Sequence, residues 1–129
     1  MNLKYIPNDQ SLTPDDFLDL AQNVWPGTYN SSLTEEALQK TINVTAWDDN
    51  ALIGCVRILS DGYFFGTISE ILVKREYQGN GIGKKLMELA WDVSPTSLFF
   101  GAQPGNEPFF EKLGYERSFQ SFFKRKARP

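Results

Sequence analysis

No histidine occurs among the 129 residues, and cysteine occurs once, at Cys55. The first absence excludes Ser-His-Asp and Cys-His nucleophilic relays outright. Together the two argue against a dedicated zinc site, so no metal is expected. Acid–base chemistry then falls to carboxylates, tyrosine, lysine, the lone thiol or water. A single cysteine allows no internal disulfide, which suits a reducing compartment. No apolar run approaches the ~20 residues needed to span a bilayer. The opening "MNLKYIPNDQS" has neither the basic start nor the apolar stretch of a signal peptide. A cytoplasmic protein with no membrane partner is the resulting expectation. No internal repeat is visible, and the length fits one domain over residues 1–129 with a single core.

Positive charge is also short. Thirteen basic side chains face sixteen acidic ones, for a net charge of −3. A domain built to grip phosphate backbones normally carries a basic face. Here the one basic run, Lys124 to Arg128, reads as a solvated tail, and no nucleic-acid partner is expected. The acidic balance better suits a cationic small molecule such as an amine.

The chain is rich instead in element signals. "LKYI" reads as a short strand. Thr13, Pro14, Asp15 and Asp16 then form a helix start, with Phe17, Leu20, Ala21 and Val24 as the apolar stripe. A second helix is expected from "LTEEALQKTI", capped by Thr34, with Leu33 and Leu38 at staple spacing. "NVTAW", "ALIGCVRIL" and "YFFGTISEILV" read as a three-strand meander. "KKLMELAWDV" is helical, with Ile82, Leu86, Leu89, Ala90 and Val93 on one face. "SLFFGAQ" reads as a buried strand, "NEPFFEKLG" as a short helix with Asn106 as cap, and "RSFQSFFKRK" as a last strand. The order β-α-α-β-β-β-α-β-α-β implies an α+β fold, a mixed, mostly antiparallel sheet flanked by helices. The strands at 68–74 and 98–103, joined through a helix, are expected to be parallel neighbours.

Between the third meander strand and the next helix lies "QGNGIG", residues 78–83, with three glycines at alternating positions. Glycine weakens both flanking elements by roughly 0.5–1 kcal/mol relative to alanine, so a purpose is implied. A Walker-type loop fails twice, because Gln78 stands where its first glycine belongs and Lys85 where its hydroxyl belongs. The dinucleotide fingerprint also fails, its last glycine falling on Lys84 or Leu86. The pattern [QR]-x-x-G-x-[GA] is met in full by Gln78, Gly81 and Gly83. In a strand-to-helix turn, Gly79, Asn80, Gly81, Ile82, Gly83 and Lys84 would present successive backbone N–H groups at a helix's positive end. That is where a pyrophosphate binds well. A ligand-free tight turn is the plainer alternative, but one glycine would serve it.

With "LIGCVRILSDG", "ISEILVKREYQGNGIGKKLM" and "EPFFEKLGYE", residues 52–116 resemble the GNAT superfamily of acyl-CoA N-acyltransferases. The resemblance implies acetyl-CoA as co-substrate, with residues 78–84 holding its pyrophosphate. The pantetheine arm would run between two splayed parallel strands, bonded by main-chain groups of Leu72 and Val73 as an added strand is. Leu72 N–H would help polarise the thioester carbonyl. Glu70, just upstream, would act as base or water-holder for an attacking amine. Gln103 stands where relatives often carry a cofactor-contacting asparagine. Phe110 is counted beside the cofactor too, but relatives commonly have a tyrosine there as general acid toward the leaving thiol. That hydroxyl is missing here, and Tyr115 is a weak substitute. The function implied is direct acetyl transfer to a small-molecule primary amine; a homodimer is compatible with it. An acyl-CoA-binding module that has lost catalysis, and a nucleotide-binding regulator, are the rivals. Arg57, mid-strand, is expected to pair with Asp61 or Glu70 or to bind an acceptor carboxylate. Trp25 is either a core anchor or a wall of the acceptor pocket, and Cys55 a small buried hydrophobe.

Overall fold

The computed structural model describes residues 1–129. The chain runs β1 (Leu3–Ile6), α1 (Pro14–Val24), α2 (Ser31–Gln39), β2 (Ile42–Asp48), β3 (Ala51–Ser60), β4 (Gly66–Val73), a 3-10 turn at Arg75–Tyr77, α3 (Ile82–Val93) and α4 (Glu107–Lys112). The strands form one sheet in the order β1-β2-β3-β4, every neighbour antiparallel. This is the expected α+β architecture.

Each face of the sheet carries its own apolar layer. On one, Phe17, Leu20 and Ala21 of α1 and Leu38 of α2 pack on Leu52, Cys55 and Leu72. On the other, Ile82, Leu86, Met87 and Ala90 of α3 cover Val44, Ala46, Ile53, Val56, Ile58 and Ile68. Each fully buried aliphatic side chain contributes about 1.5–3 kcal/mol, so the two layers clamp the sheet from both sides. Met87 takes the central place on α3 that the periodicity gave to Leu89 and Val93, which are half-buried.

The α1 start is as expected: Thr13 Oγ1 accepts from Asp16 N–H at 3.2 Å, with Pro14 in the first turn. Helix α2 begins earlier than expected. Asn30, not Thr34, caps it, its side-chain oxygen accepting from Leu33 N–H at 2.9 Å. Thr34 instead donates its hydroxyl to the Asn30 carbonyl. Nor does Asn106 cap α4 with its side chain; Glu107 reaches back to Gly105 N–H at 3.0 Å.

Three strand expectations are corrected. Tyr63, Phe64 and Phe65 belong to the β3–β4 loop, because one oxygen of Asp61 accepts from all three of their N–H groups at 2.8–3.1 Å. That local closure overrides their β propensity. Residues 98–103 form no strand, only a single parallel bridge between Thr67 and Phe99. There Phe99 N–H donates to Gly66 and Ile68 N–H to Phe99, at 2.9 and 3.3 Å, and beyond it the chain leaves β4. Residues 117–126 form no strand either, and Phe119, Phe122 and Phe123 stand in solvent.

Candidate active site

The early departure of residues 100–103 leaves the outer edge of β4 open from Glu70 to Val73. Which amides face that edge follows from register. Lys74 N–H donates to Ile53 C=O at 2.9 Å, and the ladder pairs Leu72 with Cys55 and Ile71 with Val56. Antiparallel strands alternate bonded and non-bonded pairs, so Leu72 N–H turns to β3, while Ile71 and Val73 N–H face the open edge. Leu72 is itself buried against α1. The expectation for its amide is therefore corrected to Ile71, and the one for Val73 keeps its geometry. A bulge makes the parity unreadable from sequence: Arg57 pairs with Glu70 while Ile58 pairs with Ile68, so Ser69 is an extra residue.

That bulge aims Glu70 at the α1 side of the sheet. Both its oxygens are engaged by the Arg57 guanidinium, through Nε to Oε2 and through Nη2 to Oε1 at 2.8 Å. Ser69 Oγ bridges the pair, accepting from Arg57 and donating to Glu70 Oε1 at 3.0 Å each. Beneath the guanidinium lies the Phe17 ring, 5.5 Å from its centroid. Burial pulls Arg57 down, but its hydrogen bond and attraction to Glu70 outweigh that and hold it above its ordinary value. Of the partners weighed for Arg57, Glu70 is the one it takes. Cys55, paired with Leu72, is buried, and desolvation followed by the Glu70 charge pushes its thiol far up, out of reach as a nucleophile.

At the end of β4 the glycine turn is pinned by its own side chains. Gln78 Nε2 donates to Val73 C=O and Asn80 Nδ2 to Tyr77 C=O, each at 2.9 Å. Tyr77 O–H donates to Asp48 at 2.6 Å, tying the turn to the end of β2. Gln78 and Asn80 thus shape the loop with their side chains rather than offering them outward. Gly79 and Gly81 have φ of +83° and +79°, the left-handed region that favours glycine. Gly83 does not; it sits inside the first turn of α3, and a Cβ there would meet nothing closer than Phe109 Cζ at 3.6 Å. Two glycines are thus needed by the backbone, and the third leaves bare surface.

Six consecutive amides, Gly79 to Lys84, donate to no acceptor within the chain. They line the start of α3, where the dipole adds partial positive charge. Lys84 and Lys85 are exposed beside them, while the Ile82 side chain is buried in the core and contributes only its amide. A cradle of this kind holds a diphosphate without any special side chain.

The family model described as "Acetyltransferase (GNAT) domain" matches residues 10–128. The chain belongs to the GNAT acetyltransferase family. It is 40% identical over 74 residues to GCN5-related N-acetyltransferase 2, chloroplastic, of Arabidopsis thaliana, a match covering 53% of this chain and 28% of that protein. The chain thus spans about a third or less of the length of the first curated relatives it matches. Among solved structures, a GNAT-family acetyltransferase from Streptococcus pneumoniae superposes with a TM-score of 0.73 at 24% identity, covering 96% of this chain and 98% of that one. Arabidopsis thaliana glucosamine-6-phosphate N-acetyltransferase superposes equally well, TM-score 0.73, at 15% identity and 98% and 100% coverage. These two likenesses establish the fold.

In this GNAT domain α4 abuts the glycine turn through Phe109. Phe110 packs edge-on against Phe109 and Phe100, at 5.0 and 4.8 Å between ring centres. Tyr115 also meets Phe100 edge-on, at 5.1 Å between ring centres, its hydroxyl buried without a partner and pushed upward by desolvation. Gln103 lies on the exposed loop before α4 and shares no hydrogen bond with the turn. A recess of about 1470 Å³ between α3, residues 97–102 and the terminal segment includes Phe110 but none of residues 70–84. No helix is long and apolar enough to cross a membrane, and no three His, Cys, Asp or Glu side chains group as metal ligands.

Proposed function

We propose that this domain transfers an acetyl group from acetyl-CoA to a small primary amine by direct attack, in the cytoplasm. The observation that carries this is the run of six unsatisfied amides from Gly79 to Lys84 at the start of α3. They would hold the pyrophosphate of coenzyme A, aided by Lys84 and Lys85. Acetyl-CoA supplies an activated thioester. Main-chain groups of Ile71 and Val73 would bond the pantetheine arm as an added strand, and Ile71 N–H would stabilise the oxyanion as the amine nitrogen bonds to the carbonyl carbon. Phe109 and Phe110 would wall the cofactor, and Gln103 would reach it from the loop before α4.

The amine must shed a proton, and Glu70 would take or relay it through a water on a lone pair the Arg57 fork leaves free. The C–S bond then breaks and coenzyme A leaves as its thiolate. Phe110 offers no proton for that step. A thiol with an ordinary pKa near 8.5 is a tolerable leaving group as thiolate, so transfer proceeds without a dedicated acid.

Free-thiol release from acetyl-CoA across a panel of primary amines tests this. Turnover with at least one amine is expected. Saturable coenzyme A binding with no turnover for any amine favours the rival suggested by Phe110, a binding module without catalysis. Thermal stabilisation by acetyl-CoA but not by ATP or NAD separates both from a nucleotide-binding regulator.

A further inference from the structure

Helix α1 ends without a cation of its own, since its last turn has no basic residue, and the final carbonyls of a helix need outside partners. They are met from 51–52 positions away. Arg75 Nε donates to Asn23 C=O at 3.0 Å and Nη2 to Val24 C=O at 3.3 Å, while Arg75 N–H donates to the Asn23 side chain at 2.9 Å. The flanking residues reach the same helix: Lys74 Nζ lies 3.0 Å from Asp19, and Asn23 Nδ2 donates to Glu76 at 3.4 Å. Beyond α1 the connection to α2 is knit to itself. Gln22 both donates to and accepts from the Gly27 backbone, and Tyr29 O–H donates to Trp25 C=O. Every hydrogen bond between residues 22–29 and a residue outside 14–39 involves Arg75 or Glu76.

The same 3-10 turn leads into the cofactor cradle with no slack, through the Gln78, Asn80 and Tyr77 bonds described above. Resting on the reading that Gly79–Lys84 bind coenzyme A, we propose that Arg75 is a positioning residue that couples occupancy of the cradle to the order of the α1–α2 connection. The ties are solvent-exposed, and bonds of that kind open locally at low cost. A ligand that fixes residues 79–84 removes freedom from residues 75–78 and so favours the closed tie. The half-exposed Trp25, which begins the connection, then takes a defined place only when the cofactor is bound. By linkage, an amine that orders the connection tightens coenzyme A by the same factor.

Amide hydrogen exchange with and without saturating coenzyme A tests the coupling. In the wild-type chain, peptides over 79–86 and over 22–30 should both exchange about fivefold or more slowly with ligand. In Arg75→Ala the protection at 79–86 should remain and that at 22–30 should fall by half or more, since only the main-chain N–H and Glu76 bonds to Asn23 are left. A merely stabilising tie would instead speed exchange at 22–30 equally with and without ligand, and equal ligand-dependent protection in Arg75→Ala overturns the coupling. Asn23→Ala, which removes the side-chain half of the tie, should lower the ligand-dependent protection at 22–30 about twofold, and unchanged protection there overturns it too. If coenzyme A protects 79–86 but not 22–30 in the wild type, the coupling alone fails. If it protects neither, the cofactor reading fails and takes the coupling with it.

Discussion

Arg57 and Glu70 face each other across β3 and β4 as a two-pronged ion pair, with Ser69 as bridge and the Phe17 ring as floor. Their side chains are 16% and 14% exposed, so each charge depends on the other for most of its solvation. Removing one partner of such a pair leaves the second buried and alone, which costs more than the pair contributes. Arg57→Gln should therefore lower stability by about 3 kcal/mol, about 10 °C in melting temperature for a domain of this size. Arg57→Met combined with Glu70→Leu should recover most of that loss. A double variant as unstable as the sum of the two singles would mean that the two side chains do not couple, and that each loss comes from its other contacts.

The same pair bears on catalysis. If Glu70 relays the amine's proton, Glu70→Gln keeps the Arg57 contact through its carbonyl oxygen but loses the basic group. The rate constant for transfer should fall about 100-fold, with the KM for acetyl-CoA unchanged because the cradle at 79–84 is untouched. Steady-state rates from pH 6 to 9 check this. Wild-type rates across that range would remove Glu70 from the proton path.

The three glycines of the turn should separate by experiment into two kinds. Gly81→Ala forces a Cβ into the left-handed region, φ +79°, at a cost of about 1–2 kcal/mol. Gly83→Ala sits in helical backbone with its nearest neighbour at ordinary contact distance, 3.6 Å. It should leave stability equal or raise it by up to about 1 kcal/mol from helix propensity. Calorimetric scans of the two variants decide. Equal destabilisation would mean that Gly83 is also a folding requirement and not a bare surface.

How much of this was legible beforehand depended on how local each signal is. The Thr13-Pro14 helix start and the strand-to-helix turn at residues 78–83 are set by neighbouring residues, and both formed as expected. Thr34 and Asn30 are both capping residues four positions apart, and the helix starts at the earlier one. The amide parity along β4 hinged on the extra residue at Ser69, which no alternation pattern announces. The aromatic run at Tyr63–Phe65 has strand composition, yet one carboxylate, Asp61, captured its amides. The ties of Arg75 to α1 and of Tyr77 to Asp48 join residues 29–52 positions apart, and neither carries a sequence signal of its own.

Acid sensitivity should centre on Asp9. Its side chain lies under the start of α1, accepting from Ser11 N–H and O–H, from Thr45 Oγ1 at 2.8 Å and from Trp47 Nε1 at 3.0 Å. Desolvation works to raise its pKa, but the hydrogen bonds from Thr45, Ser11 and Trp47 together hold it below the usual aspartate value. A folded-state pKa below the unfolded one means that the unfolded chain binds more protons as acid is added. The stabilisation is then complete above the ordinary carboxylate range and drains away as pH falls from about 5 through the folded-state value. Asp48 and Asp61, lowered respectively by the Tyr77 hydroxyl and by the Tyr63 amide first, shift in the same sense. Asp9→Asn should cost about 2 kcal/mol at pH 7, since an amide nitrogen cannot accept from the groups arrayed around it. It should also flatten the fall in melting temperature between about pH 5 and 3 relative to wild type. Parallel acid limbs for the two proteins would place the acid-sensitive group elsewhere.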